Sequence, residues 1–224
     1  MVSLPFVFSV MACSLLFVPE DSRTIVLSGS EAGWTHSGPR EEILPAFEFR
    51  PEGGPDHSGS LVTSSDKRDG LHGWWERTVP VEGGRYYRFS AVRRFVNAEF
   101  PRRTAVPRVF WLDATGNAAM HDFNATTTYR EGERPRSEPE YPADEPEHAD
   151  GWTEVSEIFR VPSGATQARI ELSFRWAANA TVEWSNVILQ PIAEPRSRKV
   201  RLATVHFSPA AGTSNEEKCR SLLR

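Results

Sequence analysis

Apolar and polar residues alternate with a period of two through the middle of the chain, the signature of strands with one dry face and one wet face. Ala168, Ile170, Leu172, Phe174 and Trp176 are separated from one another by Arg169, Glu171, Ser173 and Arg175. Tyr87, Phe89, Ala91 and Phe95 alternate in the same way against Arg88, Ser90 and Arg94, and Trp75, Val79 and Val81 against Glu76, Thr78 and Pro80. Further strands fit Leu44–Arg50, Ser58–Ser64, Pro107–Asp113, Trp152–Val161 and Thr181–Gln190, about eight in all. Turn signals such as Glu82-Gly83-Gly84 and Pro162-Ser163-Gly164 fall between them. No intervening segment carries a long helical stripe, so parallel crossovers are not expected. The pattern predicts an all-β fold, an antiparallel β-sandwich of the jelly-roll kind.

Two stretches interrupt this rhythm. From Thr115 to Asp150 the chain is rich in Pro and Glu and reads as a long surface loop, either a ligand-facing lid or an insertion without a ligand. The charged, Pro-containing segment 194–199 reads as a linker that closes a sandwich spanning residues 24–193. Beyond it the pattern changes kind. Val200–Phe207 is a mostly apolar run suited to a strand covered on both faces. Ser214-Asn-Glu-Glu217 follows as a capping box, in which the Ser and Glu side chains each satisfy a backbone N–H at a helix start. Cys219, Leu222 and Leu223 would share the apolar face of that helix. Residues 200–224 thus predict a short C-terminal strand-plus-helix fragment of an α/β domain.

Composition narrows the partners. The 224 residues carry a formal charge of −4 and no basic stripe that could track phosphates, so nucleic acid is not an expected partner. Cys13 and Cys219 are too far out in the chain to staple the sandwich. Stability must come from packing, and seven tryptophans and thirteen phenylalanines against three methionines describe a rigid aromatic core. Residues 1–23 hold an apolar run of about 18 residues, at the short edge for a membrane span. It has the h-region of a signal peptide without the usual basic n-region, and Val10-Met-Ala-Cys13 has some of the look of a lipoprotein site. A cleaved leader would make the protein secreted or cell-envelope, an uncleaved one would be its only membrane contact, and otherwise it would be cytoplasmic. A misassigned start is a further reading of the odd n-region.

Two resemblances rest on particular residues. Gly59-Ser-Leu, Gly73-Trp-Trp, Val79-Pro-Val-Glu-Gly-Gly-Arg-Tyr-Tyr-Arg-Phe-Ser90, Val109-Phe-Trp-Leu-Asp-Ala114, Gly151-Trp-Thr-Glu-Val155 and Val182-Glu-Trp-Ser-Asn-Val187 resemble, in that order, the jelly-roll carbohydrate-binding modules found beside glycosidase domains. The galactose-binding-like and other adhesion modules share much of this pattern. The resemblance implies a glycan ligand and no cofactor beyond a structural calcium near the first and last strands. Glu48 and Asn186 fall at about its places, Asn186 standing where the pattern usually has Asp, which removes a charge. The second resemblance is to the first strand and first helix of the carbon–nitrogen hydrolase (nitrilase) family, over Lys199-Val-Arg-Leu-Ala-Thr-Val-His-Phe-Ser-Pro209 and the Asn215–Arg220 helix. The Glu, Lys and Cys that act in that family lie downstream of this helix, so none of the three has a counterpart here. Cys219 reads as an inert core thiol.

Sugar recognition needs an exposed ring for the apolar sugar face and polar side chains for the hydroxyls. Trp75 falls in the apolar register, whereas Trp74 falls with Glu76 in the wet one, as do Tyr86 and Arg88 on the next strand. Trp74, Tyr86 and Arg88 are the candidate platform; the alternative is that Trp74 and Tyr86 pack under a loop or against a neighbouring domain. Trp34 and Trp152 read as staples at strand ends, and Trp111, Trp176 and Trp184 as core. The six histidines lie in separate segments without metal-like spacing, and the sequons at Asn124 and Asn179 matter only in a host that glycosylates secreted proteins. The chain is therefore expected to be a non-catalytic accessory module that binds glycan and sits N-terminal to a nitrilase-like hydrolase missing from it. Two alternatives stand beside that reading: a β-sandwich that positions or oligomerises such a hydrolase, or a truncated hydrolase.

Overall fold

The structure is a computed structural model that describes residues 24–27, 29–123, 134–148, 150–196 and 214–222. Among them eleven strands form: β1 (Ile25–Val26), β2 (Thr35–Ser37), β3 (Ala46–Arg50), β4 (Ser60–Ser64), β5 (His72–Pro80), β6 (Tyr86–Val96), β7 (Pro107–Leu112), β8 (Ala143–Glu147), β9 (Trp152–Arg160), β10 (Gln167–Arg175) and β11 (Thr181–Ile192). All their pairings are antiparallel. One sheet runs β3-β4-β11-β6-β9-β8 with β1 also on β11, and the other runs β2-β5-β10-β7. This is the all-β sandwich that the alternation predicts, and each of the eight expected strands is present.

Alternation aims one face of each sheet at the other. Ala168, Ile170, Leu172 and Phe174 of β10 are wholly buried, and they meet Phe89, Trp184 and Leu189 from the larger sheet in one apolar cluster with Trp75 and Trp111. Each large side chain removed from water in this way stabilises the fold by about 1.5–3 kcal/mol. At the centre of the larger sheet, the register of β11 against β6 steps between Ser185 and Ile188. Asn186 absorbs the step in a left-handed conformation, φ 51°. Before this bulge the other side of β11 pairs with β4, and after it with β1, so one strand carries two successive partners.

The structure corrects the reading of 115–150 as loop throughout. Ala143–Glu147 forms β8 on the edge of β9, and isolated bridges join Val109 to Glu140, Leu112 to Ala118 and Met120 to Arg136. A Pro- and Glu-rich segment lacks apolar alternation, yet an edge strand needs only one paired side and tolerates both residues. Trp176 is also corrected: it lies just past the end of β10, left-handed at φ 57° and 50% exposed, so the register that buries Phe174 no longer applies to it. Trp34, Trp111, Trp152 and Trp184 are buried. A 3₁₀ turn (Glu41–Ile43) and a short helix α1 (Pro101–Thr104) complete the sandwich unit.

The chain divides into two compact units between Glu194 and Pro195. In the second, helix α2 (Asn215–Leu222) carries the expected capping box: the Glu217 N–H donates to Ser214 Oγ at 3.2 Å, and the Ser214 N–H to Glu217 Oε2 at 3.0 Å. Cys219 on this helix is exposed rather than core, since nothing apolar covers it among the described residues. The apolar leader and the strand expected at 200–207 lie outside the described residues. No helix among the described residues is long and apolar enough to cross a membrane.

Candidate functional site

Because β10 turns Ile170, Leu172 and Phe174 inward, it turns Arg169, Glu171, Ser173 and Arg175 outward, onto the outer face of β2-β5-β10-β7. Register then sets the neighbours. Glu171 lies between Glu76 of β5 and Arg108 of β7, Arg169 between Thr78 and Phe110, Ser173 beside Trp74, and Arg175 beside His72. On the edge, Thr35 and Ser37 of β2 flank Glu76 and Trp74.

Glu171 is the electrostatic centre of this face. It is only 3% exposed, with Arg108 Nη2 at 2.5 Å and Arg169 Nε at 3.1 Å. Burial pushes its carboxyl above the usual range; the two guanidiniums pull the other way without offsetting it, and nearby Glu76 adds to the rise. The same guanidiniums lie over rings. Arg108 is 5.5 Å from the centroids of both Trp74 and Phe110, and Arg169 is 4.5 Å from Phe110.

Trp74 is half-buried and fixed at its edge, where Nε1–H donates to Glu76 Oε2 at 2.8 Å. The His72 ring is 5.5 Å from it, and burial followed by the charges of Arg108 and Arg175 holds that imidazole below its ordinary titration range. The face therefore combines an anchored indole, a second ring and fixed guanidinium and carboxylate groups. Such a set can stack an apolar ligand surface and hydrogen-bond polar substituents at its rim.

Of the candidate platform, only Trp74 lies here. Tyr86 and Arg88 belong to β6 in the other sheet, and they project from the opposite side of the sandwich. There Tyr86 lies between Ile192 and Arg160 in register, its hydroxyl 3.5 Å from Glu194 Oε1, and Arg88 is exposed between Gln190 and Ile158. The expected joint platform is not formed, because β5 and β6 follow one another in sequence but belong to different sheets. A shared wet register says nothing about which sheet a strand joins.

The calcium candidates are likewise in different settings. Exposed Glu48 pairs with Arg50 at 3.0 Å, whose hydrogen bond holds the carboxyl below its usual range, whereas Asn186 accepts from Ser58 Oγ at 3.1 Å in the β11 bulge. Among the described residues, no cluster of three or more His, Cys, Asp or Glu side chains is arranged to hold a metal ion.

Arg108, Phe110, Arg169 and Glu171 are residues of this candidate face that the sequence does not single out. Alternation already put Arg169 and Glu171 on a wet face, but their conjunction with Arg108 requires knowing that β10 lies between β5 and β7.

No protein-family model matches the chain, and no curated protein sequence matches it. Among solved structures, it is similar to the Clostridium thermocellum endo-1,4-β-D-xylanase 10B, in its CBM22-1 and GH10 modules complexed with xylohexaose. The identity is 14% and the TM-score 0.52, over 77% of this chain and 29% of that one. An isolated xylan-binding domain of the CBM22 class matches at 15% identity and TM-score 0.42, over 77% of this chain and 97% of that one. The enzymatically active domain of tailspike protein 4 from bacteriophage CBA120 matches at 18% identity and TM-score 0.48, over 73% of this chain and 20% of that one. The chain thus spans less than a third of the xylanase and tailspike chains. At these identities the likeness is one of fold, and the class it defines is the antiparallel jelly-roll sandwich.

Proposed function

We propose that the sandwich is a carbohydrate-binding module whose ligand lies across the outer face of β2-β5-β10-β7. The observation that carries this reading is Trp74, an indole held in place by Glu76 and set beside the Arg108–Glu171 pair on a face that no other sheet covers among the described residues. A sugar's C–H face stacks on such a ring while neighbouring charged groups take its hydroxyls. The likeness in fold to a xylanase that carries a CBM22 module supports the same reading. The module would serve as an accessory to a carbon–nitrogen hydrolase-like domain, a role supported by the resemblance of residues 199–220 to the start of that family.

Affinity electrophoresis of the full chain in gels containing soluble xylan, galactan or mixed-linkage β-glucan tests the reading. Retardation in at least one gel, lost in Trp74→Ala, is the expected result. Absence of retardation in every gel would overturn it in favour of a module that contacts protein.

A further inference from the structure

Where β5 begins and β10 ends, a cavity of about 250 Å³ opens among Asp69, Asn97, Glu99, Phe100, Thr104 and Trp176. Two of these residues have left-handed backbones, Asn97 at φ 58° and Trp176 at φ 57°. Asn tolerates that region, but a bulky residue there is strained by roughly 1–2 kcal/mol. The Trp176 N–H, donating to Leu71 O at 3.1 Å, helps to hold it in place. The strain is not offset by burial, because half of Trp176 faces solvent; Phe100 beside it is 56% exposed. A strained, half-exposed indole at the mouth of a cavity is the kind of outlier that marks a ligand site.

The polar groups indicate what the cavity takes. Among the described residues, the Asp69 and Glu99 carboxylates have no hydrogen-bond or ion-pair partner, so both are free acceptors. The Arg103 and Arg175 guanidiniums lie 5.4 and 4.6 Å from the Trp176 centroid. Neither guanidinium lines the cavity, but both lie against the Trp176 ring, so a cationic ligand stacked on that ring would meet positive charge. A neutral polyhydroxyl ring meets acceptors for its hydroxyls and an aromatic surface for its C–H groups. The volume is below the roughly 300 Å³ at which pockets for drug-sized ligands begin, which suits one ring and not a chain.

We infer that this cavity is a second sugar-binding site, separate from the Trp74 face, that takes a single neutral sugar residue against Trp176 with its hydroxyls on Asp69 and Glu99. Nuclear magnetic resonance of the ¹⁵N-labelled full chain tests it through the indole N–H signals, assigned by Trp176→Phe and Trp74→Phe. Free glucose, galactose, mannose and xylose are the probes, with tetramethylammonium as the cationic control. At least one sugar is expected to shift the Trp176 signal saturably while the Trp74 signal stays in place. Trp176→Phe should retain binding, followed on neighbouring backbone signals; Trp176→Ala should abolish it; and Asp69→Asn with Glu99→Gln should weaken it at least tenfold.

The inference is overturned if no sugar moves the Trp176 signal, if tetramethylammonium moves it and sugars do not, or if the carboxylate variants bind unchanged. Trp74→Ala should leave the sugar response of Trp176 intact. Failure of the Trp74 face in gel electrophoresis and failure of this cavity are therefore separate results.

Discussion

The guanidinium of Arg93 on β6 reaches past β9 to the carboxylate of Asp144 on β8, 2.5 Å away, from a position that is 1% exposed. Its other terminal nitrogen donates to Ala105 O at 2.7 Å, and the rings of Phe95 and Trp184 lie 5.1 and 5.6 Å from it. Burial lowers the affinity of this guanidinium for its proton, and Asp144 opposes that. The pair ties β8, which among the described residues has a strand partner on one side only, to the interior of the sandwich.

Removing one partner of such a pair strands a buried charge. Asp144→Ala should destabilise the sandwich by about 3–5 kcal/mol, read as a lower urea midpoint. Arg93→Met combined with Asp144→Ala should recover part of that loss, since the double variant leaves no uncompensated charge. An Asp144→Ala protein with the parent's midpoint would show that the contact carries no stability.

Arg93 also shows where sequence reading stops. Alternation along β6 places Tyr87, Phe89 and Ala91 inside, and the same register puts Arg93 inside with them. A charge at an inward position signals a buried partner without naming it, and the partner lies in a Pro- and Glu-rich stretch with no strand pattern. Strand identity was legible because each long strand buries one face. Sheet membership was not, because it depends on long-range pairing, and this is why alternation groups Trp74 with Tyr86 and Arg88 although the three residues lie on opposite sides of the sandwich. Trp176 escaped because alternation cannot report that a strand has ended one residue earlier.

Two buried glutamates should give stability opposite dependences on pH. The Glu171 carboxyl is raised above its ordinary value of 4.5, chiefly by burial, so the folded state keeps a proton that the unfolded chain has released. Its contribution is greatest below that value and is lost as pH rises through the raised one. Glu183 is lowered: burial acts to raise it, but hydrogen bonds from Ser60 Oγ at 2.7 Å, the Gly54 N–H at 3.0 Å and Arg94 at 2.9 Å together prevail. Its contribution is present above 4.5 and is lost as pH falls through the depressed value. In urea unfolding from about pH 3 to about pH 8, the stability difference between parent and Glu171→Gln should fall with rising pH. The corresponding difference for Glu183→Gln should rise. Differences of the same sign in both would contradict the assigned environments.

The two outer faces should separate cleanly in function. Trp74→Ala removes the anchored ring and should weaken polysaccharide binding by at least about tenfold, or 1.4 kcal/mol. Tyr86→Ala and Arg88→Ala alter the opposite face and should leave that affinity unchanged. Isothermal titration with the polysaccharide that retards the parent in gels measures all three. Equal losses in Trp74→Ala and Tyr86→Ala would place the ligand elsewhere.

Two turn glycines should respond to alanine with opposite signs. The segments 81–85 and 161–166 are laced together by Val81 N–H to Thr166 O at 3.0 Å, Gly84 N–H to Val161 O at 2.9 Å and Val161 N–H to Arg85 O at 2.9 Å. A Cβ on Gly83 would lie 2.8 Å from Ala165 O and closer still to Ser163 O, both backbone atoms that cannot swing aside. Gly83→Ala must therefore part the two segments, a distortion of about 1–3 kcal/mol by comparison with other overpacked sites. A Cβ on Gly164 meets nothing within 4 Å, and its backbone is outside the left-handed region. Gly164→Ala should then restrict mainly the unfolded chain and raise stability by about 0.4–1 kcal/mol. Paired urea midpoints read both effects, and a Gly83→Ala midpoint at or above the parent's would mean that the two turns are not packed as closely as the structure places them.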